Sequence, residues 1–285
     1  MSSVSYEFFR NVTAKLFYNG LTLLLDPMLS KKGTLPSFAG IAANPIIDLP
    51  ISEESILDGI DAVLVSHMHV DHFDSAAADK LPKDVPIFTP DNQAPTDLSN
   101  PLHSGKTFLA RLTEKGFTNV TTMAPDNCSF KGVLMTQEFG QHGIGKLGQM
   151  MGGVNGIILQ AQNQPTIYWT SDTILDEDGH VEAILRKYQP DIVIAHTGGA
   201  VINSIAPDPL MMDEAQAVKF FQLAKQNNQN AVIVAVHMQA LDHCFTTRDS
   251  LKMAITSLPE NTQKDIYMPV ESEKIALNFD AAMPI

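Results

Sequence analysis

The chain has 285 residues, of which 44% are hydrophobic and 18% charged, and its formal net charge at pH 7 is -13. This length and composition predict a folded globular protein with a sizeable core, and the acidic balance argues against nucleic acid as a partner. With only Cys128 and Cys244, no apolar run of membrane-spanning length and no signal-peptide pattern, we expect a cytoplasmic protein that does not contact a membrane.

The first predicted elements are two short strands, residues 12–18 and 21–26, around Asn19-Gly20, a dipeptide that favours a tight hairpin turn. An irregular segment follows at about 27–50. Because long loops of this kind are usually functional, we expect it to form a rim over a site. Asp26, at the end of the second strand, is predicted either to cap a turn or to orient a metal ligand.

The strongest signal for chemistry follows the next predicted strand, residues 61–66. Behind it the chain reads Ser66-His67-Met68-His69-Val70-Asp71-His72, which places three imidazoles and a carboxylate in six consecutive positions. In an extended loop the first two imidazoles project to the same side. A lone histidine is usually structural, but this cluster at a strand end would be costly without a bound cation. We therefore predict a metal site.

Further elements are predicted along the rest of the chain. They are helices at 73–80, 182–188 and 213–226, strands at 87–89, 133–139, 157–159, 168–173, 192–195 and 231–236, a short helix or turn at 92–98, and a weakly helical stretch at 109–112. Residues 144–156 are rich in glycine and are predicted to be mobile. His103 stands alone in a polar loop and is predicted to lie on the surface.

Several of the predicted strands end at a residue that can bind a metal. His142 follows the strand at 133–139, Asp172 lies at the end of the strand at 168–173, and His237 follows the strand at 231–236. Each residue alone is a weak signal, and a structural role is the alternative for each.

The spacing His67-x-His69-x-Asp71-His72 resembles the first ligand motif of the metallo-β-lactamase superfamily. The stretches Arg10 to Thr13, Leu25 to Leu29 and Val236 to His243 are similar to the branch that includes L-ascorbate-6-phosphate lactonase and many uncharacterised metal-dependent hydrolases. The resemblance spans about residues 10–275. It implies one domain over residues 1–285 with an α/β (α+β) fold, a four-layer αββα sandwich with the metal at one edge.

The resemblance also implies a set of ligands for two divalent ions, zinc or manganese. One ion would be held by His67, His69 and His142, the other by Asp71, His72 and His237, with Asp172 bridging both. A metal-bound water would be the nucleophile, which makes Asp172 and Asp71 the catalytic residues, and Asp71 would hold the proton of this nucleophile.

These implications favour a hydrolase of a small anionic ester, above all a lactone such as a sugar-acid phosphate lactone. Two alternatives stay open: a phosphodiesterase for a small or nucleotide-like substrate, and a metal-binding sensor or binding protein without turnover. His196, at the end of the strand at 192–195, His243 and Lys146 are predicted to contact the substrate, although the histidines could be structural and Lys146 a solvated charge. A homo-oligomer is compatible with the sequence.

Overall fold

The structure, a computed structural model, describes residues 4–67, 69–90, 107–123, 128–202 and 208–277. The predicted turn at 92–98 and His103 lie outside these residues. The strands are β1 (Val4–Arg10), β2 (Thr13–Tyr18), β3 (Leu21–Leu25), β4 (Ala62–Leu64), β5 (Ile87–Pro90), β6 (Val120–Met123), β7 (Cys128–Phe130), β8 (Val133–Gly140), β9 (Val154–Ala161), β10 (Ile167–Trp169), β11 (Ile192–His196), β12 (Val232–Val236), β13 (Ile266–Tyr267) and β14 (Lys274–Leu277). The helices are α1 (Glu53–Leu57), α2 (Ser75–Lys80), α3 (Phe108–Glu114), α4 (Gly145–Met151), α5 (His180–Tyr188), α6 (Glu214–Asn227), α7 (Arg248–Ala254) and α8 (Glu260–Gln263).

The strands form two seven-stranded mixed sheets with the same internal pattern. The order in the first sheet is β14-β1-β2-β3-β4-β5-β6, and in the second it is β13-β12-β11-β10-β9-β8-β7. In the first sheet, antiparallel pairs from β14 to β3 give way to parallel pairs from β3 to β6. In the second sheet, antiparallel pairs from β7 to β10 give way to parallel pairs from β10 to β13. The two halves of the chain are therefore similar in topology.

Alternating apolar residues place the two sheets face to face between layers of helices. In β4, Leu64 faces the core between the sheets, whereas Val63 packs against α2 and α3. In β12, Val234 faces the same central core and Ile233 packs against α5, α6 and α7. Since successive side chains of a strand point to opposite faces, strands that are apolar on both faces need a covering layer on each side. The predicted single-domain αββα sandwich is confirmed.

The hairpin predicted at Asn19-Gly20 is also confirmed, since β2 and β3 pair antiparallel across this turn. Both turn residues have positive φ, 51° and 75°, as a tight turn requires. The sequence did not predict β1 or β14, which complete the edge of the first sheet.

Residues 144–156, predicted from their glycine content to be a mobile stretch, form α4 and the beginning of β9. Leu147 and Met151 of α4 are buried. Gly148 is required here, since a Cβ at this position would lie 2.6 Å from the carbonyl oxygen of Gly143. Gly148 therefore allows close packing of α4 against the preceding loop.

The segment predicted as a rim, residues 27–50, contains no helix or strand; one isolated bridge joins Leu35 to Asn44. Its base is held by Arg10, a buried residue of β1 whose guanidinium donates hydrogen bonds to the carbonyl oxygens of Met28, Ser30 and Ile47. In the described part of the chain, no helix has the length and apolar character that crossing a membrane requires.

Candidate metal centre

Strand ends of both sheets meet at one edge of the sandwich. The parallel strands β3 and β4 of the first sheet and β10, β11 and β12 of the second end there, where loops of α/β folds usually bind ligands. These loops, with the one after β8, bring together all seven predicted ligands: His67, His69, Asp71, His72, His142, Asp172 and His237.

Three of the histidines, His67, His69 and His142, form a compact group that we call the first cluster. Nδ1 of His69 lies 3.1 Å from Nε2 of His67 and 3.2 Å from Nε2 of His142. In a tetrahedral zinc site with Zn–N bonds of about 2.0–2.1 Å, neighbouring nitrogens lie about 3.3–3.4 Å apart. The spacing within the first cluster fits a divalent ion.

Hydrogen bonds to the other ring nitrogens leave the converging atoms of His69 and His142 without protons. Nε2 of His69 donates to the carbonyl oxygen of Met151 at 2.9 Å, and Nδ1 of His142 donates to that of Leu210 at 2.7 Å. A neutral imidazole has one N–H, so the nitrogens facing the cluster carry lone pairs. Lone pairs this close need a cation between them, and the partners orient the rings as those of metal-bound histidines do.

The second cluster consists of His72, His237, Asp71 and Asp172. Nε2 of His72 lies 3.2 Å from Nε2 of His237 and 3.1 Å from Oδ2 of Asp172. Oδ2 of Asp71 lies 3.4 Å from Nε2 of His237 and 3.6 Å from Nε2 of His72. Two imidazoles and two carboxylates at these distances also fit a divalent ion.

The backbone at His237 is held in an unusual conformation. Its φ is 70°, in the left-handed region that histidine rarely adopts, and its N–H donates to the carbonyl oxygen of Asn11 at 2.9 Å. The side-chain amide of Asn11 donates to the carbonyl oxygen of Asp71 at 3.0 Å. The turn between β1 and β2 therefore holds two residues of the second cluster, and strain of this kind is common at functional sites.

Asp172 lies between the two clusters. Its Oδ2, besides its contacts in the second cluster, is 3.7 Å from Nε2 of His67 and 3.9 Å from Nε2 of His142. A single oxygen atom is thus near imidazoles of both clusters, as the predicted bridging role requires.

Asp26 lies directly behind the metal centre and is completely buried. Its Oδ2 accepts a hydrogen bond from Nδ1 of His72 at 2.6 Å and another from the hydroxyl of Ser66 at 2.6 Å, while Oδ1 accepts from the Ser66 N–H at 2.7 Å. The Ser66 oxygen lies 3.0 Å from Nδ1 of His67. One carboxylate thus orients a histidine of each cluster, which is the predicted alternative to a simple turn cap.

The two clusters differ in their electrostatics. In the first cluster, burial and neighbouring histidines lower the pKa of all three imidazoles, and that of His142 to about 4. In the second, burial alone would lower the pKa of His72, but the charges of Asp172, Asp71 and Asp26 raise it to about 10. The pKa of His237 is raised as well, against the effect of burial, mainly by Asp172. The first cluster is ready to bind a cation, whereas an ion at the second must displace protons.

His196 does not lie where the prediction of substrate contact requires. It is completely buried behind Asp172, and both ring nitrogens are occupied: Nδ1 lies 2.6 Å from Oδ1 of Asp172, and Nε2 accepts the Trp169 indole N–H at 2.8 Å. His196 is close enough to be grouped with the second cluster. Having no free nitrogen, it fits the role of a ligand less well than Asp71 does.

The other two predicted substrate residues lie in different environments. His243 is 7% exposed, and the charges of Asp71, His237 and Asp172 all affect its pKa, so its ring lies near the metal centre. Its pKa is lowered to about 4, mainly by burial, and no described residue hydrogen-bonds its Nδ1. Lys146 is exposed on α4.

An apolar cluster borders the metal centre and was not predicted from the sequence. Its buried members are Met28, Leu147, Met151, Ala200, Leu210, Met211, Ala240, Leu241 and Cys244. Met151 and Leu210 accept hydrogen bonds from the first cluster, and Sγ of Cys244 lies 3.5 Å from Nδ1 of His237. Phe38 of the rim is partly buried against this cluster, and its ring meets that of His243 edge to face at 5.0 Å.

Comparisons with known proteins agree with this architecture. A family model described as beta-lactamase superfamily domain matches residues 22–256. The UPF0173 protein YddR of Bacillus subtilis (strain 168) is 31% identical over 269 residues, which cover 93% of this chain and 96% of that protein.

Solved structures are similar over nearly the whole chain. A possible metal-dependent hydrolase from Veillonella parvula DSM 2008 has a TM-score of 0.82 and 28% identity, covering 96% of this chain and 100% of that one. An isothiocyanate hydrolase from Delia radicum gut bacteria has a TM-score of 0.80 and 29% identity, covering 95% and 98%. These relatives do not confirm the finer resemblance to the ascorbate-phosphate lactonase branch.

Proposed function

Because the chain belongs to the beta-lactamase superfamily, we propose that this metal-dependent hydrolase attacks an electrophilic carbon of a small molecule, with a lactone as the first candidate. The observation that carries the proposal is the position of Oδ2 of Asp172 between the two clusters. A shared carboxylate oxygen suits two neighbouring divalent ions, and paired ions can stabilise both the attacking and the leaving oxygen of a displacement.

The first ion would take the three imidazoles of the first cluster, and the second ion the imidazoles and the Asp71 carboxylate of the second cluster, with Asp172 shared. Zinc and manganese both suit nitrogen and oxygen ligands. When bound, such ions supply Lewis acidity and lower the pKa of a coordinated water toward neutrality.

We assign to Asp71 the role of holding the proton of the attacking water. Its Oδ2 points toward the space shared with His72 and His237. In the metal-free protein, burial would raise the pKa of Asp71, but the positive charges of His72 and His237 hold it well below its usual range. In the loaded protein, the charge of the ions would take the place of those protons. The carboxylate is therefore ionised at neutral pH and able to accept a hydrogen bond from water.

A small isothiocyanate is a second candidate substrate. The similar isothiocyanate hydrolase shares 29% identity with this chain over 95% of its length. Water would attack the central carbon of the N=C=S group, and this attack, like lactone opening, is an addition to an electrophilic carbon. The apolar cluster and Phe38 beside the metal centre would suit an uncharged substrate of this kind.

The charge of the substrate is the main difference between these candidates. In the described site, the neighbouring charges that mainly shift the pKa values are those of other histidines, of aspartates and of Cys244. No lysine or arginine is among these neighbours. An anionic substrate, whether a phosphorylated lactone or the phosphodiester of the alternative proposal, would therefore depend on the ions themselves and on Lys146. An uncharged substrate would depend on His243 and the apolar cluster.

The test is metal analysis followed by a substrate panel. Protein reconstituted with zinc or with manganese should hold close to two ions and should hydrolyse a δ-lactone or benzyl isothiocyanate faster than bis(p-nitrophenyl) phosphate. Asp172→Ala should lower kcat/KM by at least ~100-fold, because the shared ligand is lost. His180→Ala is the matched control, since His180 lies on α5 and bonds to Asp176.

Three outcomes would contradict parts of the proposal. Absence of metal after reconstitution would overturn the metal centre. Full activity of Asp172→Ala would overturn its role. Two bound ions without turnover of any compound in the panel would favour a sensor or binding protein.

A further inference from the structure

Behind the metal centre, three completely buried side chains form a line of hydrogen bonds that the proposed reaction does not yet use. The indole N–H of Trp169 donates to Nε2 of His196 at 2.8 Å. Nδ1 of His196 lies 2.6 Å from Oδ1 of Asp172. All three residues are at most 1% exposed.

This line fixes which nitrogen of His196 carries the proton. An indole N–H can only donate, so Nε2 of His196 must present its lone pair to Trp169. A neutral imidazole has one N–H, which then has to be on Nδ1, facing Asp172. Trp169 thus selects the tautomer that donates to the carboxylate.

The two carboxylate oxygens of Asp172 therefore have different partners. Oδ1 accepts the hydrogen bond from His196, whereas Oδ2 faces the clusters, 3.1 Å from Nε2 of His72 and 3.5 Å from Nε2 of His237. Oδ1 is held by a short hydrogen bond and is less available to a cation than Oδ2, whose neighbours His72 and His237 are themselves predicted ligands.

We propose that His196 is a positioning residue whose N–H, fixed by Trp169, holds the Asp172 carboxylate so that it bridges two ions through Oδ2 alone. The inference rests on the proposed function in one respect, the role of Asp172 as the shared ligand. It assigns His196 and Trp169 to the geometry of the ion pair rather than to substrate binding.

The fold supports this role because the line is built on strands. Trp169 ends β10 and His196 ends β11, and the two strands pair in parallel, with Trp169 opposite Ile194. The backbone N–H of His196 also donates to the hydroxyl of Thr170 at 3.1 Å. Groups carried by paired strands keep a fixed separation, as the orientation of a metal ligand requires.

Two amide substitutions separate the two nitrogens of His196. In His196→Asn, the side-chain amide nitrogen occupies the position of Nδ1 and can still donate to Asp172. In His196→Gln, the amide nitrogen corresponds to Nε2 and the donor to Asp172 is lost. Trp169→Phe keeps an aromatic ring but removes the donor that selects the tautomer.

The readout is the equilibrium binding of Co²⁺ to chelator-treated full-length protein, followed by its d–d absorption spectrum and by elemental analysis. We expect His196→Asn to bind the second ion within ~3-fold of wild type. His196→Gln should bind it ~10–100-fold more weakly, the range known for partners of metal ligands, with Trp169→Phe in between. Binding of the first ion should stay unchanged in all three, and circular dichroism establishes which variants fold.

If the Asn and Gln variants are equally impaired, or if Gln binds like wild type, the donor at Nδ1 does not matter and the inference is overturned. Should His196→Gln fail to fold, wild-type behaviour of Trp169→Phe would overturn it in the same way. A wild-type protein that binds fewer than two ions would overturn the shared-ligand role itself, and this failure is recognised without any variant.

Discussion

Asp242 and Asn44 hold each other through a reciprocal pair of hydrogen bonds. The Asn44 amide nitrogen donates to Oδ1 of Asp242 at 2.8 Å, and the Asp242 backbone N–H donates to the Asn44 side-chain oxygen at 2.8 Å. The same carboxylate accepts from the Ser37 hydroxyl and from backbone N–H groups of Phe38, Ala39, Ile41 and Ala42. One side chain in the loop after β12 therefore organises residues 37–44 of the rim.

The first prediction concerns this anchor. Asp242→Ala should lower the free energy of unfolding by about 1–3 kcal/mol, because several partly buried N–H groups lose a charged acceptor. It should also expose residues 37–44 to proteases and raise KM, since Phe38 would lose its position against His243. Chemical denaturation, limited proteolysis and kinetics measure these effects, with the exposed Asp178→Ala as control. Unchanged protease resistance would contradict the role of Asp242.

The second prediction concerns Asp26. Asp26→Asn keeps the shape of the side chain but removes the charge that accepts from His72 and Ser66. We expect the affinity for the second ion to fall ~10–100-fold, the usual effect of losing the partner of a metal-bound histidine. Competition with a chromogenic chelator measures it. An unchanged affinity would mean that Asp26 is only a turn residue, the other role considered for it.

The third prediction is that the metal-free protein is most stable near pH 6.5. His142 and His243 have pKa values of about 4, below the 6.5 of an unfolded histidine, so each costs stability as the pH falls from 6.5 to 4, by roughly 2–3 kcal/mol. His72 has a pKa of about 10, so its contribution is complete below 6.5 and is lost as the pH rises toward 10.

Melting temperatures of chelator-treated protein between pH 4 and 10 test this prediction. The metal-loaded protein is the control, because bound ions replace the protons of the second cluster and should flatten the alkaline side of the profile. A metal-free protein whose stability rises steadily from pH 6.5 to 10 would contradict the assignment of His72.

The fourth prediction separates the substrate candidates. His243→Ala should lower kcat/KM by roughly 10-fold without changing metal content, because a buried hydrogen-bonding group beside the site is removed. Lys146→Ala should matter only for an anionic substrate, by a few-fold. Parallel kinetics with a neutral and a phosphorylated lactone make the comparison. Loss of metal in the His243 variant would reveal a misassigned ligand, and unaltered kinetics in both would remove these residues from the site.

The resemblance of the first motif to the metallo-β-lactamase superfamily implied the fold and the ligand set, and local patterns placed these ligands at the ends of strands. The apolar strands before His67, Asp172 and His237 are visible as short continuous hydrophobic runs followed by polar residues, and ligand loops at strand ends meet in a predictable place. The first motif has three imidazoles and a carboxylate in six positions, which indicates a metal site without any tertiary information.

What the sequence could not predict depends on contacts between distant residues. His196 sits at a strand end like the ligands, and only the neighbouring indole of Trp169 and the carboxylate of Asp172 reveal that both of its nitrogens are occupied. Glycine content suggested mobility at 144–156, yet Leu147 and Met151 have apolar partners elsewhere in the chain. No local pattern marked Asp242, whose partners lie about 200 positions away.

Trp169 is the only tryptophan in the chain, and its ring is 1% exposed and hydrogen-bonded to His196. Any change in the charge or position of the Asp172 carboxylate is thus two hydrogen bonds away from the protein's sole indole fluorophore. Emission excited at the red edge of indole absorption therefore arises from one buried reporter next to the metal centre. Because no other indole contributes background, the wild-type chain can serve as its own optical sensor of ion occupancy, without a label or an engineered probe.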